Sequence, residues 1–472
     1  MPFDVVTYMY ALKRGITKTG IDTIKYIGNN AVNDLVKIIS TIDASISASF
    51  MNNITPDLVR KLFSSGLPNA LDIINSWLTN SSINSDAIAA AIDGFDVSAS
   101  DVATLLNTKL SSGAVTVDAM ARILASSQLS VSKLYSILVN MDADNVQKIL
   151  YNWVSELLLD RLIDLITHNA PSVTLNANTT FTGVNRFYNL YLNSYTYTAD
   201  GQPHVIIAQS IDVPSLSSIV KTPTGGAGGS VVAPGGRGGG GLIILAKSMT
   251  VAGTISANGQ RGSDYVGGGR GAGGNNGAMP TVFNLSPGNG SDTCSYGYGL
   301  NVGGKPGAGA GGGYDWNIYD AGGPGGSVTL TNYSTINDLV NALVFPVVDW
   351  YIVNVLGKTP TTTSAFPACY GAGGGGGGSC GGGGGGSGGF IFIYSPLLSL
   401  TGTLSANGGD GGNADTSADS SCYNGGAGGG GLIFAITRMY VPPSKISVNG
   451  GILGAPQCGS VSTPGSFATM WL

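Results

Sequence analysis

Glycine is distributed so unevenly along this chain that two physical regimes must share one polypeptide. Of 75 glycines, all but six lie after residue 169. Glycine has no side chain to bury and loses more backbone entropy on ordering than any other residue. A glycine-rich stretch therefore orders only where close approach of backbones is rewarded. Residues 1–168 escape that constraint and carry helical patterns instead.

In the N-terminal part, Tyr8, Ala11, Leu12, Ile16, Ile21 and Ile24 recur at roughly helical spacing, and Val32, Leu35, Val36, Ile39 and Ile42 continue the pattern. Shorter helices follow, each opened by a capping-type residue at Thr55, Asn84, Ser98, Thr116 or Ser130. Pro56 suits the first helical position. Asp144 to Thr167 reads as one long helix, with Val146, Ile149, Leu150, Trp153, Leu157, Leu158, Leu162 and Ile166 on a broad apolar face. Pro171 marks a boundary. Beyond it, alternation at Val173–Ala177, Leu190–Leu192 and Tyr195–Thr198 signals strands, with Val205–Ala208 and Ile211–Val213 as a more deeply buried pair.

From Gly225 an internal repeat appears. GLIILAKSMTVAGTISANG (241–259) aligns without gaps to FIFIYSPLLSLTGTLSANG (390–408), and GLIFAITRMYVPPSKISVNG (431–450) aligns with one insertion; a partial fourth copy starts at Gly325. Glycine runs precede the copies at Gly235–Gly240, Gly371–Gly389 and Gly425–Gly430. Recurrence inside a repeat speaks against a plain linker. Extended glycine chains can adopt polyproline II geometry and hydrogen-bond laterally in a bundle, with glycine-rich strands, solenoid turns or disorder as alternatives. The expected fold class is thus multidomain: an all-α N-terminal helical bundle (1–168), a β-rich connector (171–224) and a glycine-rich β/polyglycine II repeat domain (225–472).

The 472 residues suffice for two or three domains. Charged residues make up 10% of the chain, well under the roughly 25% of ordinary soluble domains. The net charge is −5 and no basic block occurs, which disfavours nucleic acid as a partner. Leu339–Leu356 is apolar, but Pro346 and Asp349 make it a buried segment rather than a membrane span. Met1-Pro2-Phe3-Asp4 opens no secretory signal, so an extracellular role implies release by lysis or carriage on a particle.

All five cysteines lie in the glycine-rich half. Cys369 with Cys380, and Cys422 with Cys458, are candidate disulfides that would restrict the unfolded glycine chain; buried free thiols are the alternative.

Glycine-rich scaffolding carries no chemistry, so loops must supply it. Between Asn275 and Ala321 the chain gathers Tyr296, Tyr298, Tyr314, Asp315, Trp316, Asn317, Tyr319 and Asp320, with Asp292 nearby. Aromatic faces beside carboxylates and amides suit sugars, the ring stacking on C–H faces and the polar groups reading hydroxyls; the alternative is a loop core or oligomer contact. A second loop, Asp410 to Asn424, carries Asp415, Asp419 and Tyr423.

Several other patterns carry little. Matches to GxGxxG around Gly267–Gly274 lack a strand–turn–helix setting. Gly241–Ser248 echoes a phosphate loop but lacks the glycine before lysine. Gly408–Asp415 has oxygen ligands in a glycine turn without the tandem copies of a calcium repeat. The two histidines, His168 and His204, stand too far apart in sequence to argue a metal site or a catalytic triad. No catalytic residue, metal or cofactor is expected. Six Asn-x-Ser/Thr sites occur, at Asn53, Asn80, Asn178, Asn284, Asn289 and Asn332.

Glycine runs alternating with apolar strands over 225–460 resemble the tip adhesins of T-even-type phage tail fibres. The resemblance implies packed polyglycine II helices with receptor-binding loops between them, and transfers no catalytic residue. Pro2-Phe3-Asp4-Val5-Val6-Thr7-Tyr8 with Ala11-Leu12-Lys13-Arg14 is similar to the N-termini of viral fibre and virion-surface proteins, those of archaeal viruses included. The helical domain departs from the phage adhesins and implies another mode of attachment to the particle. The expectation is a non-enzymatic virion fibre or spike at the virion surface. It would self-associate as a homotrimer, contact other virion proteins through the helical domain, and bind a host-surface glycan or glycoprotein. A cellular surface adhesin or filament subunit, and a polysaccharide-degrading enzyme, are the alternatives.

Overall fold

The structure is a computed structural model. It describes residues 32–41, 43–52, 54–79, 84–96, 98–223, 234–265, 336–367, 371, 373–374, 381–415, 424–455, 462 and 464–472. The chain divides into two compact units: Met1–His168 with Val348–Thr363, and Asn169–Val347 with Ser364–Leu472.

In the first unit, ten helices are described before residue 168: α1 Val32–Ile39, α2 Ala44–Met51, α3 Pro56–Ser64, α4 Ala70–Trp77, α5 Ser85–Gly94, α6 Ala99–Ser111, α7 Val117–Ala125, α8 Val131–Asn140, α9 Ala143–Ser155 and α10 Leu159–Ile166. Four of the five expected capping residues cap through their side chains, and Thr55 stands at its N-cap without a side-chain bond. The side chains of Asn84, Ser98, Thr116 and Ser130 accept the N–H groups of Ala87, Asp101, Ala119 and Lys133. Pro56 stands at the start of α3. Most helices pack on the helix two before them: α1, α3, α5, α7 and α9 form one row, α2 pairs with α4, and α6, α8 and α10 form another row, with α10 also packed on α9. Some polar bonds between layers span the same interval. Trp153 Nε1 donates to Ala121 O (2.8 Å) and an Arg161 Nη to Leu129 O (2.6 Å), each 32 residues away. Two helices per repeat stacked on their neighbours is the plan of a helical solenoid.

The single helix expected over Asp144–Thr167 is broken. The Leu157 N–H donates to Val154 O and the Leu158 N–H to Trp153 O, closing the end of α9, and Leu157 sits in the left-handed region at φ 56°. The apolar face read from the sequence is real on both pieces, but periodicity could not show the turn between them.

A later helix, α11 (Ile336–Asn354), contains Pro346, and its residues from Val348 on belong to the first unit. Asp349, 4% exposed, accepts from Gln147 Nε2 (2.6 Å) and from the Tyr151 hydroxyl (2.8 Å). The extended stretch that follows lies along the same face of α9. Lys358 Nζ donates to Met141 O, Thr361 donates its N–H and hydroxyl to Asp144, and Gln147 Nε2 donates to Thr362 O. No described helix is long and apolar enough to cross a membrane.

The second unit is built on one twelve-stranded sheet in which every pair is parallel. Its strands are β1 Val173–Thr174, β2 Thr179–Tyr191, β3 Thr196–Val213, β4 Ser218–Lys221, β5 Gly241–Val251, β6 Thr254–Ser256, β7 Phe390–Tyr394, β8 Leu397–Leu400, β9 Thr403–Ser405, β10 Leu432–Thr437, β11 Ile446–Ser447 and β12 Ser466–Trp471. β3 is the fork: residues 196–199 pair with β4, and residues 204–213 with β5. From it run two rows, β4-β6-β9-β11 and β5-β7-β10-β12, with β8 continuing β7 alongside β5. The rows face each other across a shared core. Ile219, Ile255 and Leu404 come from one row, and Leu242, Ile244, Ile391, Ile393 and Ile433 from the other. The sheet is thereby folded back on itself like a nearly closed barrel.

This corrects the expected fold class. The C-terminal half is not a polyglycine II domain: a parallel β-sheet organises it. The reason is energetic. A glycine bundle has no apolar surface to take from water, whereas Phe390–Tyr394 and Leu432–Thr437 bury every side chain on both faces. The glycine segments beside the strands carry no strand ladder; their N–H groups reach neighbouring segments at every third residue, as at Gly383, Gly386 and Gly389. A Cβ added at Gly385 would lie 2.0 Å from Gly409 O, so backbone packs directly on backbone there.

The repeat is the register of the sheet. Gly241 stands opposite Phe390 and Thr254 opposite Thr403, the 149-residue offset read from the sequence. The third copy needs no insertion. Leu432 faces Phe390 and Ile446 faces Leu404 at one constant offset of 42, so the copy begins at Leu432. Gly325, the expected fourth copy, lies outside the described residues; the rung after β10 is β12.

Candidate functional site

Every residue nominated for ligand binding (Tyr296, Tyr298, Tyr314, Asp315, Trp316, Asn317, Tyr319 and Asp320) lies outside the described residues, as do the disulfide candidates Cys369, Cys380, Cys422 and Cys458. What the structure does describe is the base from which those segments depart. At one end of the stack a chain of backbone hydrogen bonds links all its layers. The Ser263 N–H donates to Pro234 O, Gly383 to Ser263, Gly412 to Gly383, Gly425 to Gly412 and Gly454 to Gly425, at 2.7 to 3.4 Å. Residues 234, 263, 383, 412, 425 and 454 are therefore neighbours. The connections that enclose the nominated aromatic loop and the Asp410–Asn424 loop start and finish at this shared edge.

Side chains brace the edge. Asn258 Oδ1 accepts the Asn407 N–H (2.8 Å), and Asn407 Oδ1 accepts the Asn449 N–H (2.9 Å) and the Ser447 hydroxyl (2.8 Å). These are the asparagines of the recurring Ala-Asn-Gly signature, which explains the recurrence: each fastens one layer to the next. A second set lies further out. Asp264 Oδ1 accepts the Asn413 N–H, Asn413 Oδ1 accepts the Ala455 N–H, and Asp410 Oδ1 accepts the Ile452 N–H. The Arg261 guanidinium bonds Asp264 at 2.6 Å and holds its carboxyl below the usual carboxylate range. In the turn weighed for calcium, Asp410 and Asn413 thus already use an oxygen for backbone. Among the described residues no three His, Cys, Asp or Glu side chains are grouped to hold a metal.

Within the same unit, where β3 passes from one row to the other, a buried polar cluster forms. The Tyr197 hydroxyl and His204 Nε2 are 2.9 Å apart, and His204 Nδ1 is 3.1 Å from Asp200 O. A carbonyl only accepts, so Nδ1 carries the proton and Nε2 accepts from Tyr197. Both side chains are fully buried. Burial pushes His204 down to about 4 and raises the Tyr197 phenol. Lys221, also buried, falls to about 8 for the same reason, with the Asp200 carboxylate opposing. The Thr222 hydroxyl donates to Asp200 Oδ1 (2.7 Å) and, with the Gly201 N–H, keeps that carboxyl low. The Tyr197, His204 and Lys221 side chains are buried while Asp200 and Thr222 are partly exposed, and the buried ionisable groups couple folding to pH. The sequence held no signal for it, since Tyr197 and His204 meet only because β3 bends between them.

Comparison with protein-family models, curated proteins and solved structures finds no significant match for this chain.

Proposed function

We propose that this protein is a non-enzymatic attachment protein of a virion surface, binding a glycan or glycoprotein of the host envelope through the aromatic and acidic loop between residues 275 and 321. One observation supports this reading above all: the connections of the glycine-rich half converge on one braced edge of a rigid sheet. A rigid base presenting several loops side by side is the arrangement that recognition surfaces use. The helical unit supplies the contact with the particle, and copies of the chain on one particle make weak sites firm through multivalency.

The test replaces residues 275–321 by a short Gly-Ser link and substitutes Tyr314 and Trp316 by alanine in the full chain. Binding to host cells, measured by flow cytometry with fluorescent protein, should fall at least about tenfold while the thermal unfolding profile is unchanged. Undiminished binding by a folded deletion variant overturns the reading.

A further inference from the structure

Asn178 stands in the exposed turn between β1 and β2, and it begins the sequence Asn178-Thr179-Thr180. Of the six Asn-x-Ser/Thr sites in the chain, it is the one within the described residues. Its side chain is held by one end. Oδ1 accepts the Thr196 N–H at 2.9 Å, and Nδ2 makes no hydrogen bond among the described residues. Thr179 turns its hydroxyl to Ala177 O, whereas the exposed Thr180 hydroxyl makes no hydrogen bond among the described residues.

An asparagine that only fastens one layer to the next needs Oδ1 alone. Asn258 and Asn407 do that work, and each is followed by glycine rather than by a hydroxyl residue two positions on. Asn178 does the same work for Thr196 and adds the exposed hydroxyl. A second observation concerns the strand it introduces. Along its outer side β2 is bonded from Tyr188 to Tyr191, by β1 and the residues just before it, and its first part has no partner strand there among the described residues. An open strand edge recruits other chains unless something bulky or charged guards it.

We infer that Asn178 is an N-glycosylation site, its glycan standing at the N-terminal end of β2. In the reaction a lipid-linked glycosyl phosphate or diphosphate is the donor. The bond from the sugar's anomeric carbon to the phosphate oxygen breaks, a bond from that carbon to Nδ2 forms, Nδ2 releases one proton, and the lipid phosphate leaves. The amide keeps its carbonyl, so the bond from Thr196 survives the modification.

The test is mass spectrometry of the peptide spanning Asn178 from protein isolated from its native source. The expected result is added glycan mass at Asn178, removed by an amidase that leaves aspartate. In the same host, Thr180→Val keeps a β-branched residue in the strand and leaves Asn178 bonded to Thr196, so it should lose the glycan without losing the fold. Thr180→Ser should retain it. Recovery of Asn178 wholly unmodified overturns the inference, as does equal modification of the valine variant. The inference is independent of what the loop end binds: a glycosylated chain that ignores host cells keeps it and loses the attachment reading.

Discussion

At Gly385 the absence of a side chain is a steric requirement. With Gly409 O 2.0 Å from where a Cβ would stand, Gly385→Ala must push two backbones apart and is expected to destabilise the second unit by about 3 kcal/mol or more, read by chemical denaturation. Asn407 works through hydrogen bonding. Asn407→Ala strips the Asn449 N–H and the Ser447 hydroxyl of their acceptor, a loss of about 1–2 kcal/mol, and Asn407→Asp restores most of it. His204 gives a pH dependence whose sign follows from its depressed value. Between its ordinary 6.5 and about 4 the unfolded chain binds a proton that the folded chain refuses. Stability is thus complete above pH 6.5 and declines as pH falls towards 4, by up to about 3 kcal/mol. His204→Gln should flatten urea-unfolding midpoints over that window. Lys221, low at about 8, makes stability rise again as pH climbs towards 10.5.

At the scale of elements, the break between α9 and α10 shows what periodicity leaves out. Helix existence and the apolar face were legible in Val146, Ile149, Trp153, Leu162 and Ile166. The stop at Leu157 was not, because a left-handed leucine has no compositional signature. Leu157→Gly removes that strain and should raise the melting temperature of the helical unit, with a gain of about 1 kcal/mol. The solenoid period was also present in plain view. Asn84 and Thr116, like Ser98 and Ser130, are capping residues spaced by the same 32 residues that separate the interlayer bonds. Each was recognisable alone; the period emerges once bonds such as Trp153 to Ala121 give it meaning. In the second half the repeat disclosed the sheet's neighbours and most of their register. It could not disclose whether glycine or the apolar strands governed the architecture, because both recur together.

For the whole molecule, chain order and structural order differ. Residues 348–363 complete a unit otherwise made from the first 168, and no sequence boundary announces it. A fragment of residues 1–168 leaves Gln147, Tyr151 and Asp144 without the groups that Asp349, Thr361 and Thr362 supply. It should melt below the full-length protein, and a synthetic peptide of residues 345–363 should raise that melting temperature on addition. No rise would show that the inserted segment contributes little to the helical unit. The nominated loop was legible only as chemistry, tyrosines and tryptophan beside aspartates, and its base was not legible at all. The base exists through backbone bonds such as that from the Gly236 N–H to Gly384 O, between segments far apart in the sequence.

The sheet's register also bears on how such a protein can change over generations. Adjacent rungs are joined by detours as different as 149 and 42 residues, yet the strands on either side meet in unbroken alignment. Closing the longer detour costs only about 1 kcal/mol more than closing the shorter. Whatever sequence fills a detour is thus nearly invisible to the frame, so segments can be lengthened, shortened or exchanged between strains as cassettes while the frame stays in place.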